Sequence, residues 1–325
     1  MADLDTYLRR NGLNDERITL AKNNFSFFDQ FIQSKGMNYA SLSIEATTNA
    51  LEQLDQNLVD FDLLLVLIFT LRQTGRNDIV AWVIDQLEGG GVLENMVKKA
   101  MLELGEEKMT PLLEGFSYPT FLSSAAEKAK AATELVDRLQ MVYDEEDLRL
   151  FLTDNFHEIP SSPFQWLRDL FVETGDIDHV AEASFQRFVD KLKECRDNHT
   201  LFFSQEITDE VVDWVLKEGD IETGVRIGKH ILVSKVPFKA KEYLAEKDPV
   251  KRRFYYCHCP FVRPSILAGE KGVPDIFCHC SGGFSKVRWD VIFNQETEVE
   301  VVQTVYGGGD KCTFKITIPD DYQSS

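Results

Sequence analysis

Residues 287–318 read VRWDVIFNQETEVEVVQTVYGGGDKCTFKITI, and their period decides the fold class. Val287, Trp289, Val291 and Phe293 alternate with polar neighbours, Val299, Val301 and Val305 follow, and Cys312, Phe314, Ile316 and Ile318 close the run. Alternation with a period of two is the signature of strands with one buried face. Asn294 to Thr297 and Gly307 to Asp310 supply turn residues between the runs. The stretch predicts a three-stranded antiparallel meander, with Arg253–Cys259 and Ile276–Cys280 adding strands or strand-like loops.

Before Pro249 the period is helical. Asp15 to Lys35 sets Ile18, Ala21, Phe25 and Phe28 on one face and stops at Gly36. Ser43 stands where a helix cap is needed, and Phe61 to Arg72 is apolar on nearly every side, as a buried helix is. Ser124 to Met141 reads as a long alanine-rich helix. Gly75, Gly175 and Gly219 each follow an amphipathic run and precede Asp or Asn, which predicts helix, turn, helix at all three places. The segment from Asp220 to Glu246 is accordingly expected to be helical and to pack over the sheet. The fold class is therefore α+β: a mostly helical N-terminal two-thirds, then a cysteine-rich module with an antiparallel meander. GFSYPT, near 115–120, suggests a boundary between residues 1–118 and 119–325, with the module at 252–319.

Composition excludes several function classes. Asp and Glu number 54 against 35 Lys and Arg, a net charge of −19, so phosphate backbones and anionic membrane surfaces are repelled. The longest nearly uncharged apolar run, Leu63 to Thr70, falls far short of the ~20 residues of a membrane span. The polar opening MADLDTYLRR carries no export signal, and the expected compartment is the reducing cytoplasm. No nucleic acid or membrane partner is expected, and a small molecule is.

In a reducing compartment, clustered cysteines read as metal ligands or working thiols before disulfides. Five of the six cysteines fall in RRFYYCHCPFVRP (252–264), DIFCHCSGGFSK (275–286) and the last strand. In extended chain, Cys257 and Cys259 share a face, as do Cys278 and Cys280, and four thiols on one face could hold zinc or iron. Alternatively Cys259 or Cys280 is a nucleophile, with His258, His279 and Arg263 beside it to lower a thiol pKa. Ser281-Gly282-Gly283 could then present N–H groups to an anion, and Lys286, Glu270 and Asp275 add charge nearby. Packing in a core is the third reading, and the one preferred for Cys312. His157, His179, His199 and His230 have no partner at ligand spacing, which predicts surface or helix-end roles.

Cys259-Pro260-Phe261, a cysteine about twenty residues on, Gly283-Phe284 and the G-x-x-x-C-x-F of Gly308 to Phe314 resemble the L-2-amino-thiazoline-4-carboxylate hydrolase family. More distantly, the segment is similar to 4-vinyl reductase-type small-molecule-binding domains. The likeness spans Arg252 to Pro319. It implies an α+β domain with a pocket for a small organic molecule and hydrolytic opening of a cyclic C–N or C–S bond. Cys259, Cys280 and Cys312 occupy the motif positions. The vinyl reductase likeness implies ligand sensing instead, in some members with cysteine-bound zinc. The doubled C-H-C triplets and the helices before residue 250 lie outside both patterns. The expected function is thus a hydrolase-like enzyme with a cysteine-lined site; the alternative is a zinc- or iron-bearing binding or sensor protein.

Overall fold

A computed structural model describes residues 3–55, 58–269 and 272–322. The chain forms two compact units, residues 1–90 with 120–123, and residues 91–119 with 124–325.

Every regular element among the described residues of the first unit is a helix, and its caps at Asn14 and Ser43 follow the sequence. Asn14 accepts from the Arg17 N–H at the start of the Asp15–Ser34 helix, and Ser43 accepts from Ala46 N–H at the start of Ile44–Glu52. Ile18, Ala21, Phe28 and Ile32 form the buried stripe of the first of these. Phe61–Gln73 buries Leu63 through Ile68 without a gap, so it is enclosed on most sides. Arg17 clamps Asp62 with two hydrogen bonds of 2.9 and 2.6 Å, satisfying a mostly buried carboxylate.

The second unit begins helical. Ser124 and Glu127 close a capping box on Ala125–Leu139, and Gly175 and Asp176 end one helix and cap Ile177–Asp197. A small ribbon pairs β1 (Leu201–Phe202) with β2 (Gln205–Glu206). Among the described residues the main sheet has four antiparallel strands, β3 (Val225–Ile227), β4 (His230–Ser234), β5 (Val299–Gln303) and β6 (Thr313–Thr317), in the order β3-β4-β6-β5. The fold is α+β, with a helical N-terminal region and a small antiparallel sheet built towards the C-terminus.

Three expectations are corrected. Val287–Phe293 is not a strand but the end of a helix, His279–Phe293. That helix is buried on most sides, including Val287, Trp289, Ile292 and Phe293, so no polar face marks its 3.6 period and an accidental alternation shows through. Arg253–Cys259 and Ile276–Cys280 are likewise not strands: Pro249–Tyr256 is a helix capped by Asp248, and Asp275–Cys278 is a 3-10 turn. Asp220–Glu246 is not all helix, because Gly219 ends Asp209–Glu218 and the chain then enters β3 and β4. Asp220 does not cap a helix there; its carboxylate accepts a 2.6 Å hydrogen bond from Ser234 at the end of β4.

The long C-terminal helix lies on the sheet. Trp289, Ile292 and Phe293 join Ile231 and Val233 of β4 and Ile316 of β6 in one core, closed by Leu167, Phe171, Ile177 and Val180. The five clustered cysteines lie towards the other end of this helix, in or against a separate core.

Candidate functional site

The two C-H-C triplets occupy different local structures. Cys257 caps the C-terminus of Pro249–Tyr256, and Cys259 lies in the turn that follows. Cys278 ends the 3-10 turn, and His279 and Cys280 form the first turn of the long helix. Residues 235–239 join these parts. Lys235 N–H donates to Cys312 C=O at 3.1 Å, and Phe238 and Lys239 N–H donate to Tyr256 and Tyr255 C=O at 3.2 and 2.9 Å. The Tyr256 hydroxyl, fully buried, donates to the Lys235 carbonyl.

All five module cysteines belong to or pack against one core and are free thiols. Burial pushes every one of them upward: Cys259 to about 11, and Cys257, Cys278, Cys280 and Cys312 also above the usual thiol range. Three of them are also raised by neighbouring thiols: Cys257 by Cys259 and Cys312, Cys278 by Cys257, Cys312 and Cys259, and Cys280 by Cys259. The four proposed ligands, Cys257, Cys259, Cys278 and Cys280, therefore lie within electrostatic reach of their neighbours. Among the described residues, no group of three or more His, Cys, Asp or Glu is arranged to hold a metal ion.

The expected histidines do not activate the thiols. His258 Nε2 donates to Val236 C=O at 2.7 Å, and burial followed by Lys235 holds the ring well below its usual pKa, so it is a neutral donor tied to backbone. His279 lines a groove on the side of β5, with its Nδ1 buried and unpartnered. Arg263 stacks on Phe238 at 4.0 Å and lowers Cys257 and Cys259 only as a lesser cause than burial. Ser281, Gly282 and Gly283 are helical, not an N–H-presenting loop, and His279 N–H is already bonded to Ile276 and Phe277 carbonyls. Glu270 lies outside the described residues.

The partner of Cys280 is His157, at 3.5 Å between Sγ and Nε2. Spacing gave no hint of it, since 123 residues separate the two. Gly283 makes the meeting possible: a Cβ there would lie 2.3 Å from Asp154 C=O and 2.7 Å from Thr153 C=O, so only glycine lets this loop touch the helix. The loop is then held in shape. Asn155 donates to Ile159 C=O at 3.0 Å and accepts from Ile159 N–H at 2.9 Å, Asn95 donates to Phe156 C=O at 3.0 Å, and Lys99 pairs with Asp154.

Lys235 is the second residue that sequence reasoning missed. It is 8% exposed, and among the described residues no carboxylate lies within ion-pair distance. Its ammonium sits 4.4 Å over the Phe284 ring, whose edge contact with His157 is 5.3 Å. The charge lowers Cys259, Cys280 and Cys312 and, after burial, helps bring His157 down to about 4. A faint signal existed: Lys235 is the one charge in ILVSKVPF.

The site is thus a neutral thiol beside a neutral imidazole, with a buried cation near both. No curated protein and no solved structure matches the chain. A family model described as a family of unknown function (DUF6144) matches residues 234–323, a span that holds Lys235 and all five clustered cysteines and leaves His157 outside.

Proposed function

We propose that the protein is a hydrolase-like enzyme that acts on a small organic substrate, with Cys280 as nucleophile and His157 as its base. The observation that carries this reading is the 3.5 Å approach of Cys280 Sγ to His157 Nε2. His157, neutral above about pH 4, takes the thiol proton as sulfur attacks an electrophilic carbon of a C–N or C–S bond. The bond to the leaving nitrogen or sulfur breaks as His157 returns the proton to it. Water, deprotonated by the same imidazole, then releases the acyl group and restores the thiol. Lys235 supplies the positive charge that favours the thiolate in each half. The likeness to the thiazoline carboxylate hydrolases points to the same bond class and to Cys280 among its motif positions. Because the resting thiol is protonated and 5% exposed, the substrate is small and attack depends on His157 taking the proton rather than on a standing thiolate.

The test is alkylation by iodoacetamide, mapped by mass spectrometry between pH 6 and 9. His157→Gln is expected to slow labelling of Cys280 at least tenfold while leaving Cys257 and Cys278 unchanged. Equal effects at all the cysteines, or none at Cys280, would sink the dyad.

A second reading, a zinc- or iron-bearing small-molecule-binding or sensor protein, has its own observation: Cys259 and Cys312 raise the pKa of Cys257, and all three raise that of Cys278. A divalent cation would reverse that balance by stabilising thiolates. Its check is elemental analysis of purified protein, in which a stoichiometric metal lost on Cys257→Ser favours this reading over the first.

A further inference from the structure

We propose that the open edge of β5 takes up an extended, basic segment of a partner protein as a fifth strand. This goes beyond the thiol site and does not depend on it. β5 ends the sheet order β3-β4-β6-β5, so one side of the strand has no strand neighbour among the described residues. Which backbone groups face outward follows from the ladder. Thr317 N–H donates to Glu298 C=O at 2.9 Å, and Glu300 lies opposite Lys315, two residues along each strand. Antiparallel pairs alternate between bonded and non-bonded positions, so Glu298 and Glu300 face β6 while the N–H and C=O of Val299 and Val301 face away.

Those outward groups look into a groove of about 890 Å³. Val299 through Thr304 line it, so residues from both faces of the strand contribute, and the groove runs along the edge rather than over one face. Glu145, Glu146, Arg149, Leu150 and Thr153, from the Glu145–Leu152 helix and the residue after it, form part of the wall, and Asp275 and His279 complete it. The volume lies in the upper part of the ~300–1,000 Å³ range of ligand sites, enough for a short strand.

Proteins normally blunt such an edge with short strands, Lys, Pro or an inward charge. The opposite edge, β3, is only three residues long and carries Arg226. β5 is five residues, VEVVQ, with neither Lys nor Pro, and three of its residues are valine; a register shift between Val301 and Gln303 leaves Val299–Val301 as its regular stretch.

Charge selects the occupant. Four carboxylates line the groove, from Glu145, Glu146, Asp275 and Glu300, against Arg149 and His279, and Glu300 is itself paired across the ladder with Lys315 of β6 at 2.7 Å. Arg149 is taken up by Glu145, and burial lowers the pKa of His279, which favours the neutral ring. A second copy of the chain, at net −19, would bring its own Glu300 against this edge, which like charges across strands oppose. A segment alternating Val or Ile with Lys fits both the ladder and the rim.

The experiment uses the full chain and fluorescein-labelled octapeptides, read by anisotropy at 50 and 300 mM salt. Binding of a Val-Lys alternating peptide is expected, weakening at least about threefold at the higher salt. N-methylating alternate amides, which removes donors and keeps charge, is expected to weaken it about tenfold or more. Glu146→Lys with Glu300→Lys is expected to cost a similar factor. Equal affinity for the methylated peptide, no binding at millimolar concentration, or concentration-dependent self-association abolished by Glu300→Lys would each overturn the proposal.

Discussion

The triplets Cys257-His258-Cys259 and Cys278-His279-Cys280 are spelled alike and do different things. The first follows a helix end, and its histidine is locked to the Val236 carbonyl at 2.7 Å. The second starts a helix, its histidine faces a groove, and its last thiol meets a residue 123 positions away. Identical letters therefore say little about a side chain's role when the two backbones turn differently around them. What distinguishes the triplets is the neighbour each backbone admits: residues 235–239 beside the first, and the 153–157 loop beside the second.

The largest effect is expected at Gly283. Gly283→Ala puts a carbon 2.3 Å from a backbone oxygen and is expected to cost about 3 kcal/mol, read from the shift of the urea midpoint, and to separate His157 from Cys280. Gly282→Ala is the control. Its Cβ would meet Phe314 and Val299 side chains at 3.5 Å, an ordinary contact, so a change within about 1 kcal/mol is expected. Equal costs would mean that the loop, not the glycine, sets the approach.

The two triplet histidines are expected to differ in the same sense. His258→Ala leaves the Val236 carbonyl without its partner and is expected to cost about 2 kcal/mol in thermal unfolding. His279→Ala removes a ring nitrogen that is buried and unpartnered, and a change below about 1 kcal/mol is expected. A reversal of that order would show the second triplet to be the structural one.

A fall in pH acts on two of the buried rings at once. His157 and His258 are held below the usual value of 6.5, so the unfolded chain binds protons that the folded one refuses. Stability should therefore be intact above about pH 6.5 and fall as pH drops towards the folded value of about 4 for His157. His157→Gln should flatten the curve between those values. An unchanged slope would mean that the ring takes up its proton without opening the site.

Periodicity read the molecule well where an element has two unlike faces. Asp15–Ser34 and Ile44–Glu52 carry their caps and stripes in the letters, and β5 and β6 lie where the valine and Phe-Lys-Ile runs alternate. It failed where an element is enclosed: Val287–Phe293 is surrounded by apolar neighbours, so helix and strand patterns become indistinguishable. It failed again at β3 and β4, where Gly219-Asp220 repeats a helix-turn-helix spelling ahead of strands.

Local chemistry alone determined the helical N-terminal region, the caps, the last two strands and the concentration of thiols in one C-terminal segment, because each depends on residues a few positions apart. Tertiary structure decided which histidine meets Cys280, that Lys235 stands buried among the thiols, and that one sheet edge stays open beside an acidic groove. Those depend on contacts across scores of residues, on the space a missing Cβ leaves at Gly283, and on the desolvation that burial imposes on thiol and imidazole alike.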